Sequence, residues 1–165
     1  MHIGSAITER AELLEDTSLS MEFTWAELMD LSQYMGTMRY RSGATVFKEG
    51  DRDVFMCIVV KGGVNILKRD EGMTERRVAQ IGRGKMIGEM SMIDNCPRSA
   101  SAVAVIDTTL VTLTKDSMNR LFKERPAIGI KVLQKIAFSM SQRLRQTTGV
   151  LVDYLEKAET DGEDE

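Results

Sequence analysis

An arginine stands nine residues after a glutamate, and glycines lead into the glutamate; no other constellation in this 165-residue chain is as well suited to chemistry. Residues 84–102 read Gly-Lys-Met-Ile-Gly-Glu-Met-Ser-Met-Ile-Asp-Asn-Cys-Pro-Arg-Ser-Ala-Ser-Ala. Gly84 and Gly88 precede Glu89, and Met90, Ser91, Met92 and Ile93 then read as a short helix. Asp94-Asn95-Cys96-Pro97 reads as a turn, after which Arg98 heads a run of small residues that begins with Ser99 and Ala100. A glycine before a short helix lets backbone N–H groups converge on an anion. Arg98 adds a charged, planar, two-pronged donor. Glu89 would repel a phosphate, so its chemistry suits a hydroxyl on the same ligand. A ligand with both a phosphate and a sugar hydroxyl fits the pair.

The rest of the composition narrows the class. His2 is the one histidine, and the sequence has no histidine cluster, nucleophile triad or isolated carboxylate pair, so neither an enzyme nor a metal or cofactor site is expected. Cys57 and Cys96 give no disulfide framework or metal spacing; they read as reduced thiols in a cytoplasmic protein. No apolar run approaches the ~20 residues of a membrane helix, Val54–Val60 being the best. Glu9, Glu12 and Glu15 occupy the start in place of a signal peptide's apolar core. The net charge of −3 is uneven: residues 156–165 carry −5 and residues 1–155 about +2. The tail is expected to be solvated and disordered, and no basic stripe marks nucleic acid as a partner.

The elements that must position the glutamate and arginine can be read from periodicity. Thr8–Glu15 reads as a short acidic helix with few apolar positions. Thr24-Trp25-Ala26-Glu27 is a capping box, and its helix, to about Met35, puts Trp25, Leu28, Leu31 and Met35 on one face before Gly36 ends it. From about Thr37 the period becomes two. Strands are expected at Met38–Arg41, Ala44–Lys48, Val54–Lys61, Val64–Arg69, Thr74–Ile81, Ser99–Ile106 and Thr109–Thr114, separated by turn glycines. Many short strands argue for a sandwich or barrel. Val64 and Ile66 then face its interior, as core filling or against a bound ligand. Thr114 caps a helix to about Glu124, with Met118, Leu121 and Phe122 apolar, and Pro126 opens a longer one. The expected organisation is a segment 1–23, a β-barrel with flanking helices 24–125, a long helix 126–158 and an acidic tail 159–165.

The stretch GEMSMIDNCPRSASA resembles the phosphate-binding cassette of cyclic-nucleotide-binding domains, in which Gly-Glu is followed nine residues on by Pro-Arg-(Ser/Thr/Ala)-Ala. Flanking motifs match in order: Gly43 with Val46-Phe47-Lys48-Glu49-Gly50-Asp51, then Ile58-Val59-Val60-Lys61-Gly62-Gly63-Val64, then Ile81-Gly82-Arg83-Gly84. The resemblance covers roughly residues 24–148; Ile87 and Met56 depart from it where aromatics are common. It implies a mainly β fold, a double-stranded β-helix or jelly-roll barrel with N-terminal helices and a long C-terminal helix. It also implies that Glu89, beside Gly88, holds the ribose 2′-hydroxyl. Arg98 would hold the cyclic phosphate, helped by the amides of Met90 and Ser91, by Ser99 and by the small Ala100.

The long helix carries Ile130, Leu133, Ala137, Met140, Leu144, Thr147, Leu151, Tyr154 and Ala158 at 3-4 spacing, an apolar seam with one polar position, Thr147. A homodimer through paired parallel helices is expected, although Gly149 weakens the helix by about 1 kcal/mol relative to alanine. Arg143-Leu144-Arg145-Gln146-Thr147-Thr148 is similar to the equivalent helix of family members of the bacterial catabolite-activator type, where two hydroxyl residues contact adenine, one from each subunit. That resemblance places Thr147 and Thr148 at the base and favours cAMP, with cGMP open because a hydroxyl can also donate to a guanine carbonyl. Arg143 is a candidate partner for Glu89. Few residues follow Ala158, and a helix-turn-helix needs tens of residues, so the chain as given is not expected to bind DNA. The expected function is a stand-alone cyclic-nucleotide receptor acting on an unknown protein partner. The alternative is a dimerisation or interaction module that ignores nucleotides.

Overall fold

The computed structural model describes residues 3–162 and is built from eight strands and five α-helices. The helices are α1 (Ile3–Glu15), α2 (Trp25–Ser32), α3 (Glu89–Asp94), α4 (Lys115–Glu124) and α5 (Pro126–Gly162). The strands are β1 (Gly36–Tyr40), β2 (Thr45–Phe47), β3 (Phe55–Lys61), β4 (Gly63–Arg69), β5 (Glu75–Gly82), β6 (Met86–Ile87), β7 (Ser101–Ala104) and β8 (Thr108–Thr114). They form two antiparallel sheets, β1-β8-β3-β6 and β2-β7-β4-β5. Inward residues of both sheets share one core: Val46, Phe47, Val64 and Ala102 from one, Cys57, Val59, Ile87 and Leu110 from the other. Alternation along half-buried strands makes this face apolar, and the result is the mainly β jelly roll with flanking helices that the sequence implies.

Seven of the strands fall where the period-two pattern places them. β6 was not anticipated, because two residues are too few to show a period; it pairs Met86 with Ile58 and Ile87 with Cys57, directly before Gly88. The strand expected from Ser99 starts only at Ser101. Arg98 instead exchanges backbone hydrogen bonds with the β2–β3 turn, its N–H donating to Asp51 O at 2.8 Å and its carbonyl accepting from Gly50 N at 2.8 Å. Gly50 has a φ of 87° there, open to glycine at no steric cost.

The N-terminal helix is better docked than its sparse apolar residues indicate. Ala11 and Leu14 are fully buried, α1 packs on α2, and Arg10 Nε donates to Ser32 O at 3.0 Å. The segment that follows ties to the approach of the Gly88–Arg98 loop, Ser18 N–H and Oγ both donating to Gly84 O. In α2 the expected apolar face needs one correction. Leu28, Leu31 and Met35 are buried, but Trp25, in the first turn, is 44% exposed. The helix also stops at Ser32, and Gly36 opens β1.

The capping box is complete: Glu27 N–H donates to Thr24 Oγ1 at 3.3 Å and Thr24 N–H to Glu27 Oε2 at 2.8 Å. Lys131, in the first turns of α5, donates to the same carboxylate at 2.8 Å and to Glu22 O at 2.9 Å. The lysine and then the Thr24 amide hold the Glu27 carboxyl below the ordinary glutamate range. Thr24→Ala is expected to cost about 1 kcal/mol and to lower the melting temperature by about 2–4 °C, as read by calorimetry.

Residues up to Val132 form one compact unit and residues from Leu133 onward a second, with α5 running through both. The helix continues past Ala158 to Gly162, so the first residues of the expected disordered tail are helical. Residues 163–165 and His2 lie outside the described residues. Within the second unit Leu144, Leu151 and Tyr154 of the seam are exposed.

Candidate functional site

The cassette residues come together in the first unit. Gly88 closes β6 in a left-handed conformation (φ 76°, ψ 10°) and turns the chain into α3. A β-carbon at Gly88 would stand 2.6 Å from Arg98 Nη1 and 3.0 Å from Phe55 O, so this position holds glycine for space as well as for φ. α3 ends at Asn95 (φ 55°), a residue type that tolerates the left-handed region. Asp94 Oδ1 accepts from Cys96 N at 2.8 Å, which makes the expected turn before Pro97. Lys115 of α4 donates its ammonium to Met92 O near the end of α3.

Arg98 and Glu89, both charged, are buried, with exposures of 4% and 0%. Arg98 Nη1 donates to Gly88 O at 3.1 Å and to Ser91 Oγ at 2.9 Å. Its Cζ lies 4.2 Å from the centroid of Phe47 and 4.5 Å from that of Phe55. The other two nitrogens, Nε and Nη2, are buried and make no hydrogen bond. They form one edge of the guanidinium, the edge that gives two parallel N–H donors to a phosphate or carboxylate. Burial pushes the guanidinium below the ordinary arginine range, while nearby Asp53, Asp51 and Glu89 push it back up; with so high an intrinsic pKa it keeps its charge. Cys57, buried beneath it, is pushed up to about 12 by desolvation and stays a thiol; Cys96 is free and exposed.

The remaining expected residues are placed as follows. Ser91 is buried beside the arginine and Met90 is exposed. Ala100 is half-buried and Ser99 is exposed. The Ser99 hydroxyl lies 3.9 Å from Met90 Sδ, and its carbonyl accepts from Lys68 Nζ at 2.6 Å. Arg143, Thr147 and Thr148 lie on α5 in the second unit. Both threonines are exposed, and their hydroxyls donate back along the helix, to Arg143 O and Leu144 O at 2.9 Å each. That local bond satisfies each hydroxyl's donor.

Sequence reasoning missed Phe47 and Phe55 at this site, and also Lys68 and Glu49. Lys68 bridges Ser99 O and Glu49 Oε1, the latter at 3.3 Å, and Glu49 N–H donates to Ser101 Oγ at 2.9 Å. The Lys68 ammonium and the Arg69 amide hold the Glu49 carboxyl below the ordinary range, the amide being the stronger influence. The one available signal was position: Phe47 and Phe55 flank the turn whose Gly50 and Asp51 grip the backbone of Arg98. Among the described residues, no group of three or more His, Cys, Asp or Glu is arranged to hold a metal. No described helix is long and apolar enough to cross a membrane.

The first unit is thus a jelly roll that carries a buried glutamate and a buried arginine on one short helix-and-turn. The sequence model of the cyclic nucleotide-binding domain matches residues 37–125, and the chain belongs to that family. It is 34% identical over 121 residues to the cyclic AMP receptor protein of Thermus thermophilus, a match that covers 73% of this chain and 54% of that one. Against solved structures, a cyclic nucleotide-binding domain from Methylobacillus flagellatus KT aligns with a TM-score of 0.76 and 31% identity, over 87% of this chain and 80% of that one. The catabolite activator protein of Thermus thermophilus aligns with a TM-score of 0.71 and 30% identity, over 84% and 62%. The chain spans about half the length of the bacterial curated relatives it matches, 54% in each case.

Proposed function

We propose that the chain is a cyclic-nucleotide receptor module, with cAMP its ligand, and that it passes the bound state through α5 to a protein partner in the cytosol. The Nε–Nη2 edge of Arg98 carries the reading. Two buried donors of one guanidinium lack hydrogen bonds, and a cyclic phosphate supplies two acceptors at that spacing. Glu89, nine residues earlier and equally buried, accepts from the ribose 2′-hydroxyl. Thr147 and Thr148, whose hydroxyls now bond to backbone carbonyls of α5, are assigned to the base of the ligand, and Arg143 of the same helix belongs to the same ligand-binding set. Differential contacts of that kind are what lets a ligand shift a conformational equilibrium. The exposed seam of Leu144, Leu151 and Tyr154 joins two copies in parallel.

Titration calorimetry with cAMP and cGMP tests the ligand: saturable heat with cAMP is expected, and no heat with either nucleotide overturns the reading. Sedimentation tests the dimer. Leu151→Glu puts a charge into the seam and is expected to give monomers; a monomeric wild type would remove the dimer while leaving the receptor intact.

A further inference from the structure

We propose that Phe47 and Phe55 form an aromatic clamp that positions Arg98 for the ligand, setting affinity through the faces of their rings and not through bulk alone; this rests on the receptor reading above. The two rings are 6.1 Å apart with planes at 78°, and both lie within 4.5 Å of Arg98 Cζ. A cation over an aromatic face is held by the ring quadrupole, and more strongly where water is excluded. Arg98 is buried, so the attraction acts at its strong limit. The geometry also leaves the guanidinium little freedom. Two rings fix Cζ, and Gly88 O with Ser91 Oγ fix Nη1. The Nε–Nη2 edge is therefore aimed before any ligand arrives, which removes an ordering cost from binding.

Both rings come from places that make the clamp rigid. Phe47 ends β2 inside the core, and Phe55 opens β3 at the far side of the turn that grips the Arg98 backbone. Phe55 also faces Gly88 through its carbonyl, and Phe47 through its ring, 3.0 and 3.4 Å from where a β-carbon would stand. The same two residues thus set the floor on which the arginine lies. Core filling alone would need only their volume; the stacking distances give the electron density of the rings a role that volume does not.

Fluorinated phenylalanines separate the two. Successive fluorines draw density from the ring face while leaving its shape nearly unchanged. Mono-, di- and trifluorophenylalanine placed at position 47, and separately at 55, are each titrated with cAMP by calorimetry, with the ligand-free melting temperature measured in parallel. The clamp predicts that affinity falls stepwise with fluorine number, by about tenfold or more at the end of the series, while the melting temperature, which loses the same ring contacts, falls by only a few degrees. Affinity that stays flat or rises overturns the clamp and leaves the receptor standing. A wild type that binds neither cAMP nor cGMP overturns the receptor and the clamp together. Phe55→Leu adds a second arm: it keeps apolar volume, loses the ring, and is expected to weaken binding as far as the full fluorine series does.

Discussion

Arg98→Met is expected to lower cAMP affinity by at least about a hundredfold while leaving the ligand-free protein melting within a few degrees of wild type. The first half follows from the Nε–Nη2 edge. Each charge-assisted hydrogen bond is worth about 1.5–3 kcal/mol, two are lost together, and about 1.4 kcal/mol corresponds to tenfold. The second half follows from what the arginine costs without its ligand. A buried cation with two unsatisfied donors carries a desolvation penalty of several kcal/mol. Methionine removes that penalty and fills the same channel between Phe47 and Phe55 with a flexible apolar chain. Against the gain stand the lost ring contacts and the donors withdrawn from Gly88 O and Ser91 Oγ, an opposing sum of similar size. Scanning calorimetry with and without cAMP reads both halves. A variant that melts far below wild type without ligand would show that the fold itself needs the charge. A variant that still gains stability from cAMP would show that the phosphate binds elsewhere.

How far the sequence reached follows from the range of each signal. The Gly88–Arg98 loop was legible because its chemistry is local: glycine, carboxylate, turn and arginine lie within eleven residues, and the structure keeps them in one place. Strand existence was legible from period two, and the capping box of α2 from four consecutive residues. What failed was long-range or very short. β6 is two residues, below the length at which alternation means anything. The clamp around Arg98 joins residues from β2 and β3 that are 51 and 43 positions away from it, and no pattern in either strand announces a cation above the ring. Trp25 followed the helical spacing yet is 44% exposed; spacing assigns a residue to a face of a helix but not how far along that face the covering element reaches. The docking of α1 was not legible for the converse reason. Ala11 and Leu14 alone of its described residues are buried and anchor it, and Arg10 and the segment up to Ser18 add polar anchors that hydrophobic periodicity does not count.

Gly88→Ala is expected to lower the ligand-free melting temperature by roughly 10 °C and to weaken cAMP binding by about tenfold or more. Two costs add. Alanine at a φ of 76° pays about 1–2 kcal/mol for the left-handed conformation. Its β-carbon would stand 2.6 Å from Arg98 Nη1 and 3.0 Å from Phe55 O, and overpacking of that kind costs about 1–3 kcal/mol. For a chain of this size each kcal/mol moves the melting temperature by about 2–4 °C. Phe55 O is strand backbone and cannot retreat without breaking β3, so the guanidinium must give way, and the edge meant for the phosphate turns with it. A double-mutant cycle isolates that coupling. In the Arg98→Met background the nearest atom is gone and the methionine chain can bend aside, so Gly88→Ala should cost measurably less stability than in wild type, with a coupling of at least about 0.5 kcal/mol. Equal cost in both backgrounds would mean that the strain is all in the backbone angle and that Gly88 does not govern where Arg98 points.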